Sequence, residues 1–579
     1  MFSRQVREVR DRICRTVCAN FGFGALAAVD FSLPDRINPQ PRSPLPGARF
    51  VSLSGTGAGR SRRRTAARAA PNPPDVVAMI YQDIAVPDPQ GWQNAADAIF
   101  HNARRRPAHA AIVDGIRTIT YAELAALVAK TAGHLETIGV EPGDIVGVAL
   151  GDDADHVVAM LAIAWLGAVI LPMDVRWTAQ EKHRIAAHFG ARLVLVPEGG
   201  EPLADIETVA LTQAWRQGVA AHAGDGGFVR RREQPLLLSL SSGTTGAPKG
   251  PMVTHGHALS RIFIYTISLT FNEADRFITA TPLYFGGARY MTLAYLFMGA
   301  TVVIYPAPYQ AEDLAQAVND KAITSLFLVP TLLRRLLETP KTALPLFPAL
   351  RLLISSGSSL YPDERRRIMR ELCPNFFNFY SSSEGGGISL LRPEHPDAVS
   401  LSVGKVVFGA EVQIIDEQHN EVPPGTIGAI RYRGGAVAES YYRNPEESAS
   451  AFHDGWYYPG DLGRFDADGF LYLTGRAKDM IIRGGVNIYP AEIEATLIAH
   501  PAVAEAAVIG WPSRERGEEI AAFVVCRARA SEQELIEHCL RSLAPYKVPR
   551  GVFFVDELPK SALGKVLKPV LAERLRERT

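Results

Sequence analysis

The chain has little cysteine, no long hydrophobic run and no net charge, and each shortage removes a class of protein. Its five cysteines (Cys14, Cys18, Cys373, Cys526, Cys539) are odd in number and lack metal-ligand spacing. They support neither a zinc site nor a disulfide framework, and they fit a reducing cytoplasm. The most apolar stretch, "VVAMLAIAWLGAVIL" at 157–171, is too short for a membrane span and has no flanking positive charge. It predicts a buried helix turning into a strand. A formal net charge of zero argues against a broad surface for nucleic acid or anionic membrane. What remains is a globular composition, 47% apolar and 21% charged over 579 residues, in a chain too long for one core. Two or more domains are expected.

The charge is unevenly spread. Residues 1–74 hold thirteen arginines, no lysine and four acidic residues. "SGTGAGRSRRRTAARAAPNPP" (54–74) is rich in Arg, Ser, Gly and Pro and has no apolar periodicity. A disordered tail, a transit-like peptide or a start upstream of a true beginning at Met79 would each look like this. Residues 1–78 are read as a disordered or non-native extension. From about residue 90, helix-like and strand-like segments alternate, as in an α/β protein. "TYAELAALVAKTAGHLETIG" (120–139) and "DDADHVVAMLAIAWLGA" (152–168) predict helices. "DIVGVAL" (144–150), "TSLFLVP" (324–330) and "LRLLISSG" (350–357) predict strands running into loops. "GRAKDMIIRGG" (475–485) is charged and then glycine-rich. It places a hinge at 476–485 between a large domain over 79–475 and a small one over 486–579.

"PLLLSLSSGTTGAPKG" (235–250) runs from a strand-like apolar segment into Ser, Gly and Thr and ends in lysine. Gly243 and Gly246 allow turns in which successive N–H groups converge on one anion. Ser241, Ser242, Thr244 and Thr245 add hydroxyls, and Lys249 adds a mobile charge. A Walker-type loop would have Gly before the lysine and Ser or Thr after it. Here Pro248 and Gly250 stand there, which disfavours a P-loop kinase or ATPase. A flexible linker has the same composition, but linkers rarely join a strand to a helix. Thr254 is a helix cap, and Leu259, Ile262, Phe263 and Ile267 fall near one helical face. A polyphosphate loop is the better reading.

Three further segments are weak alone. "FNFYSSSEGGG" (377–387) bears one carboxylate, Glu384, which beside a phosphate loop could serve as a hard oxygen ligand for Mg2+. "DGWYYPGDLG" (454–463) sets Asp461 after a Pro-Gly turn, where a carboxylate can accept hydrogen bonds from vicinal ribose hydroxyls or simply brace the turn. "PKSALGK" (559–565) ends in Lys565, by itself a surface lysine.

Their order changes the reading. "SSGTTGAPKG", "GWYYPGD", "GRAKDMIIRGG", "LAPYKVP" (543–549) and "PKSALGK" occur in the order found in the adenylate-forming superfamily. From about residue 95 to its end the chain resembles that superfamily of acyl-CoA synthetases, adenylation domains and firefly-type luciferases, and in particular its acyl-CoA synthetase branch. The resemblance implies an α/β fold: a large N-terminal domain of α/β subdomains plus a small β-barrel, and a small mobile α+β C-terminal domain. It implies that Ser241, Ser242, Gly243, Thr244, Thr245, Gly246 and Lys249 cradle the β- and γ-phosphates of ATP. Gly357, Ser358, Asn378, Phe379 and Tyr380 would line the adenine pocket. Ser383 would touch the α-phosphate and Glu384 would hold Mg2+, while Asp461 and Arg476 would fix the ribose. Lys478 falls at the hinge, and Gly484 and Gly485 on the route of the CoA pantetheine. Lys565 would contact the carboxylate and α-phosphate, so that Lys565, Glu384 and Thr244 are the residues expected at the reacting groups.

The chain also departs from the family. Tyr380-Ser-Ser-Ser-Glu384 replaces Tyr-Gly-x-Thr-Glu, and Pro459 replaces a Thr before Gly460-Asp461. Lys568 stands where Arg is typical, which loses the planar fork. Phe285, in "TPLYFGGARY" (281–290), occupies a position that is His in many acyl-CoA synthetases. Tyr284, Phe285, Gly286 and Ser381 are the expected acyl pocket, with Gly287, Ala288 and Ser382 adding room. No Asp follows this segment to pair with a substrate ammonium, which disfavours an amino acid. Arg289 is read as facing solvent on a helix, with pairing to a second carboxylate as the alternative. The chain ends fourteen residues after Lys565, so no fused carrier domain is expected and CoA is the natural thiol. The leading expectation is a cytoplasmic AMP-forming ligase joining a fatty, aryl or alicyclic acid to CoA, without nucleic-acid partners or a membrane span, and with a homodimer left open. An acyl-AMP ligase loading a separate carrier protein and a catalytically silent acid- or nucleotide-binding relative are the alternatives.

Overall fold

The structure, a computed structural model, describes residues 91–576 apart from 225–227, 230, 241–248, 306–307, 342, 359, 484–485, 514–515 and 561–565. The expected extension over 1–78 lies outside the described residues. Two sheets built mainly of parallel strands dominate the large part of the chain. The first is nine-stranded. Its parallel centre runs Leu352–Ser356, Ser325–Leu328, Arg276–Thr279 and Thr301–Ile304, with Phe376–Ser382 and Ala110–Asp114 on either side. The second has six strands, parallel through Ile145–Val148, Val169–Pro172 and Pro235–Leu238 and closed at one edge by antiparallel Met252–Thr254.

The apolar stretch at 157–171 folds as predicted. Helix Ala154–Leu166 is capped by Asp153, whose side chain accepts from the His156 amide, and it stops at Gly167 with φ 83°. The chain then re-enters the sheet as Val169–Pro172. Nearly every residue of this helix is buried because it is covered on all sides, and so it shows no polar face. No helix among the described residues is long and apolar enough to cross a membrane.

Helix His255–Leu269 corrects the expected stripe. Thr254 does cap it, accepting from the His257 amide at 3.2 Å, but Ile267 is exposed. Leu259 and Ile262 are buried as expected and Phe263 is half-buried, and the buried face extends through Ala258, Arg261, Tyr265 and Leu269. A charged residue replaces an apolar one on the core side because it meets backbone carbonyls there.

The expected small barrel is an open sheet. Strand Gly428–Gly434 pairs on one side with Ala410–Ile415, and on the other with Trp456–Tyr457 and Asp461–Phe465 at its opposite ends. Among the described residues the outer strands do not meet. The face formed by Val412, Ile414, Ile430, Tyr432 and Leu471 packs on Ile388 of the first sheet. That contact buries the apolar surface which closure would otherwise bury.

The C-terminal lobe is α+β. Strands Val503–Ser513 and Gly517–Cys526 form a long antiparallel pair, joined by Ile481–Arg483 and Gly551–Phe554. Helices Pro490–Ile498 and Glu532–Ser542 bury Ile493, Leu497, Leu535 and Cys539 in one core cluster. Helix Lys568–Arg576 buries Leu571 and Leu575 in another.

Gly404 joins the first sheet to the small one: its carbonyl accepts from the Leu471 amide at 2.9 Å. Its φ is 86°, and a Cβ there would lie 2.0 Å from the carbonyl carbon and oxygen of Leu390. Gly404→Ala is therefore expected to cost about 3 kcal/mol or more, clash added to strain. Gly425 has φ 90° but open space around it, so Gly425→Ala should lose only about 1–2 kcal/mol. Denaturant unfolding of the two variants separates the terms. Equal losses would mean that Gly404 serves its backbone angle alone.

Candidate active site

Adjacent parallel strands Leu352–Ser356 and Phe376–Ser382 pair Ser355 with Asn378 and Ser356 with Phe379. Their carboxyl ends therefore open at the same place, where open α/β sheets form ligand crevices. Gly357 follows with φ 111°, a conformation open to glycine rather than to residues with a Cβ. Ser356 and Ser381 share a hydroxyl hydrogen bond at 2.8 Å. The strand alternation splits the expected adenine residues. Asn378 and Tyr380 fall on one face, whereas the Phe379 ring turns into the core against Tyr265. Asn378 Oδ1 is buried with no hydrogen-bond partner among the described residues.

The turn after this strand carries Ser383, half-buried, and Glu384, which is 7% exposed. Arg261, itself 1% exposed, holds it from below. Its Nη2 donates to the Glu384 carbonyl at 2.6 Å, its Nε to the Ala436 carbonyl at 2.9 Å and its Nη1 to the Tyr290 hydroxyl at 3.1 Å. Ser382 Oγ accepts from the Gly385 amide at 2.8 Å and bonds the Tyr432 hydroxyl at 2.7 Å. A Cβ on Gly385 would meet the Tyr432 ring at 2.3 Å, so this turn requires glycine for space. The Glu384 carboxylate is left facing upward, with the Tyr441 hydroxyl donating to Oε1 at 3.2 Å.

Asp461 and Arg476 are cross-strand partners in the small sheet. Arg476 Nε meets Asp461 Oδ1 at 2.7 Å, and Arg476 Nη1 donates to the Pro459 carbonyl at 2.8 Å. Tyr380 donates its hydroxyl to Asp461 Oδ2, which ties the two sheets together at the site. Burial and then the neighbouring Asp461 charge hold the Tyr380 hydroxyl well above its ordinary pKa, so it stays a donor. Lys249 pairs with Glu447 and lies 5.4 Å from the centre of the Tyr441 ring. Burial lowers its pKa, Glu384 opposes that shift, and Lys478 and Arg476 add to it. Tyr441 thus links Lys249 to Glu384, and Arg476 and the exposed Lys478 lie close enough to act on the same lysine.

The acyl segment sits between the two large sheets. Asp152 accepts from the Leu283 amide at 2.7 Å. Arg176 bridges Asp174 at 2.6 Å and the Tyr284 hydroxyl at 2.7 Å. Phe285 precedes helix Gly286–Met298, and its ring centre is 4.1 Å from that of Tyr284. Only part of the expected room exists. A Cβ on Gly287 would strike Phe327 at 2.6 Å and Ala288 is 1% exposed, so both face the core. Ser382 is spent on the Glu384 turn. Gly286 and Ser381 are half-buried. The expectation that Arg289 faces solvent is overturned: the residue is 1% exposed.

Ser241, Ser242, Gly243, Thr244, Thr245, Gly246, Gly484, Gly485 and Lys565 lie outside the described residues. Sequence reasoning missed Arg261, Tyr290, Tyr441 and the Asp174–Arg176–Tyr284 bridge. Arg261 interrupts an apolar helical face, the one signal that could have found it.

Comparison with known proteins matches this arrangement. Residues 99–442 match the AMP-binding enzyme family and residues 492–565 the AMP-binding enzyme C-terminal domain. The chain is 31% identical over 477 residues to 2-succinylbenzoate–CoA ligase of Bacillus licheniformis, covering 80% of this chain and 97% of that protein. It is 32% identical over 505 residues to indoleacetate–CoA ligase of Aromatoleum aromaticum, covering 83% and 98%. Among solved structures, ATP-bound MatB from Rhodopseudomonas palustris superposes with a TM-score of 0.77 at 28% identity, over 84% of this chain and 99% of that one. O-succinylbenzoate coenzyme A synthetase from Bacillus subtilis, in complex with ATP and magnesium ion, gives 0.74 at 28% identity, over 83% and 99%. With strand ends, carboxylates and cations gathered in one cleft and a family match across most of its length, the chain belongs to the AMP-binding enzyme family.

Proposed function

We propose that this protein is an ATP-dependent carboxylic acid:CoA ligase. The observation that carries the reading is the cleft joining Glu384, Lys249, Asp461 and Arg476, in a chain that spans nearly the whole length of several CoA ligases. In the first half-reaction a carboxylate oxygen attacks the α-phosphorus of ATP, the bond to pyrophosphate breaks, and acyl-AMP forms. In the second, the CoA thiol gives up its proton and attacks the acyl carbon, and AMP leaves.

Asn378 and Tyr380 border the adenine, Phe379 contributes main chain only, and Gly357 and Ser358 give the opposite wall. Asp461 takes the ribose hydroxyls. Its carboxylate has about four acceptor sites, and Arg476 and Tyr380 occupy two. Lys249 and the loop Ser241–Gly246 hold the β- and γ-phosphates, and Ser383 the α-phosphate. Mg2+ would be held by Glu384. That single, nearly buried carboxylate suits an ion which uses one or two protein carboxylates and shares the rest of its shell with phosphates. When bound it would offset the phosphate charge that a second anion must approach. Lys565 supplies a positive charge to the attacking carboxylate and α-phosphate on a C-terminal lobe that moves about Lys478, after which Gly484 and Gly485 border the thiol route. Tyr284, Phe285, Gly286 and Ser381 receive a fatty, aryl or alicyclic acid. The described cysteines are free, which supports the cytoplasm as location.

The test is pyrophosphate release and thioester formation with MgATP and CoA across a panel of carboxylic acids. At least one acid is expected to yield AMP, pyrophosphate and acyl-CoA in equal amounts. No release with any acid would overturn the reading, and acyl-AMP that passes only to a carrier protein would replace CoA as acceptor. Lys565→Ala should slow acyl-AMP formation about 10²–10³-fold. The same variant supplied with acyl-AMP and CoA should still form thioester. Equal slowing of both steps would remove the lysine from the first step alone. Asp461→Asn should raise the KM for ATP on the order of 10–100-fold and leave the KM for the acid in place; a shift in the acid KM alone would misplace the ribose.

A further inference from the structure

Arg289 is a buried guanidinium without a counter-ion. Its Nη1 donates to the carbonyls of Leu283 at 3.2 Å and Tyr284 at 2.8 Å. Its Nε is buried with no partner, and among the described residues no carboxylate lies within ion-pair distance. Of the other buried arginines, Arg365 faces Asp397 at 4.0 Å, and Arg261, also without a carboxylate, places Nε, Nη1 and Nη2 on two carbonyls and a hydroxyl. The titratable groups beside Arg289 are instead Arg261, Tyr290 and His156, whose pKa burial lowers to about 4, and none of them brings a negative charge at neutral pH. Burial brings its pKa down to about 10, so it is still a cation at neutral pH. A buried cation with no anion is costly; Arg261 offsets that cost with partners on all three nitrogens, whereas Arg289 leaves Nε unused.

The unused edge of the guanidinium has a definite chemistry. With Nη1 committed to backbone carbonyls, Nε and Nη2 remain as two parallel donors, the edge that meets both oxygens of a carboxylate. Nη2 lies 3.9 Å from the point where a Cβ on Gly286 would sit, and Ser239 Oγ lies 4.0 Å from the same point. Both converge on the first turn of helix Gly286–Met298. Phe285 gives that turn no side-chain cap, so its amides are open to an anion as well. A small apolar void lined by Met160, Leu236, Leu237 and Leu293, with room for about one water molecule, adjoins the guanidinium.

We infer that the helix start at Gly286, the Nε–Nη2 edge of Arg289 and Ser239 form a subsite for a second carboxylate of the acid, so that the preferred substrates are dicarboxylic. This rests on the acid:CoA ligase reading. A monoacid would leave the guanidinium unpaired in the complex, and that penalty is the source of selectivity.

The experiment compares dicarboxylic acids of graded length, aliphatic and aromatic, each with its own monomethyl half-ester, by pyrophosphate release with MgATP and CoA. The wild-type protein should prefer at least one diacid over its half-ester by on the order of 10² in kcat/KM. In Arg289→Met that ratio should collapse towards one, the diacid losing most and the half-ester far less, while Arg289→Lys keeps part of the preference. Wild-type protein that uses half-esters or monoacids as well as every diacid overturns the inference, as does an Arg289→Met variant that keeps the ratio or changes only the KM for ATP. If Arg289→Met does not fold, the wild-type ratio decides alone. Silence with every acid would instead condemn the ligase reading.

Discussion

The site hangs on one buried guanidinium. Arg261 projects from the core side of helix His255–Leu269 and is spent on carbonyls of two separate segments and one hydroxyl. Through the Glu384 carbonyl it fixes the turn that carries the Glu384 carboxylate. Through the Ala436 carbonyl it fixes the chain entering the segment that carries Tyr441, the residue that donates to that same carboxylate. A planar cation with five donors is suited to such a junction, since backbone carbonyls brought together inside a protein need donors that no apolar residue can give. The glycines of this turn follow from the same crowding: Gly386 lies where a Cβ would sit 2.8 Å from Arg261 Cγ.

Around that anchor the cleft is assembled from parts that do not share a sheet. Tyr380 belongs to the nine-stranded sheet, and Asp461 and Arg476 to the open one. The hydroxyl of Tyr380 on Asp461 closes the gap between them. A buried tyrosine held firmly protonated is a dependable donor, and it leaves the carboxylate charged for its other partners. On the far side Lys249 feels Glu384, Arg476 and Lys478 together, so a change in any one of them alters the field that the phosphates meet.

Tyr290 links the Glu384 turn to the Tyr284–Phe285 segment through two arginines. Arg261 lies over one side of its environment at 5.1 Å from the ring centre and Arg289 at 5.9 Å. Two buried cations thus flank one ring between the Glu384 turn and the Tyr284–Phe285 segment, and among the described residues no carboxylate pairs with either. The Asp174–Arg176–Tyr284 bridge holds the outer wall by a different means, an ion pair completed by a phenol.

Local patterns were enough for much of the architecture. The capping residue Thr254 and the helical spacing over 120–139 and 152–168 marked helices, apolar runs marked Ser325–Leu328 and Leu352–Ser356, and the order of short motifs marked the family and the two carboxylates, because backbone preference and turn chemistry act over a few residues. Partnership acts over long separations and could not be read that way. Arg261 and Glu384 are 123 residues apart and Tyr380 and Asp461 81, and the small sheet stayed open because its apolar face had a neighbour to cover it. The clearest case is Arg289: its sequence context reads as a solvent-facing helical position, and only the packing of two sheets against its helix decided that the charge is buried. The sequence by itself determined which segments become helices and strands and which short motifs the chain carries, since these depend on neighbours along the chain. Tertiary structure decided which charges lose water and which partners they find, since desolvation depends on what packs from elsewhere.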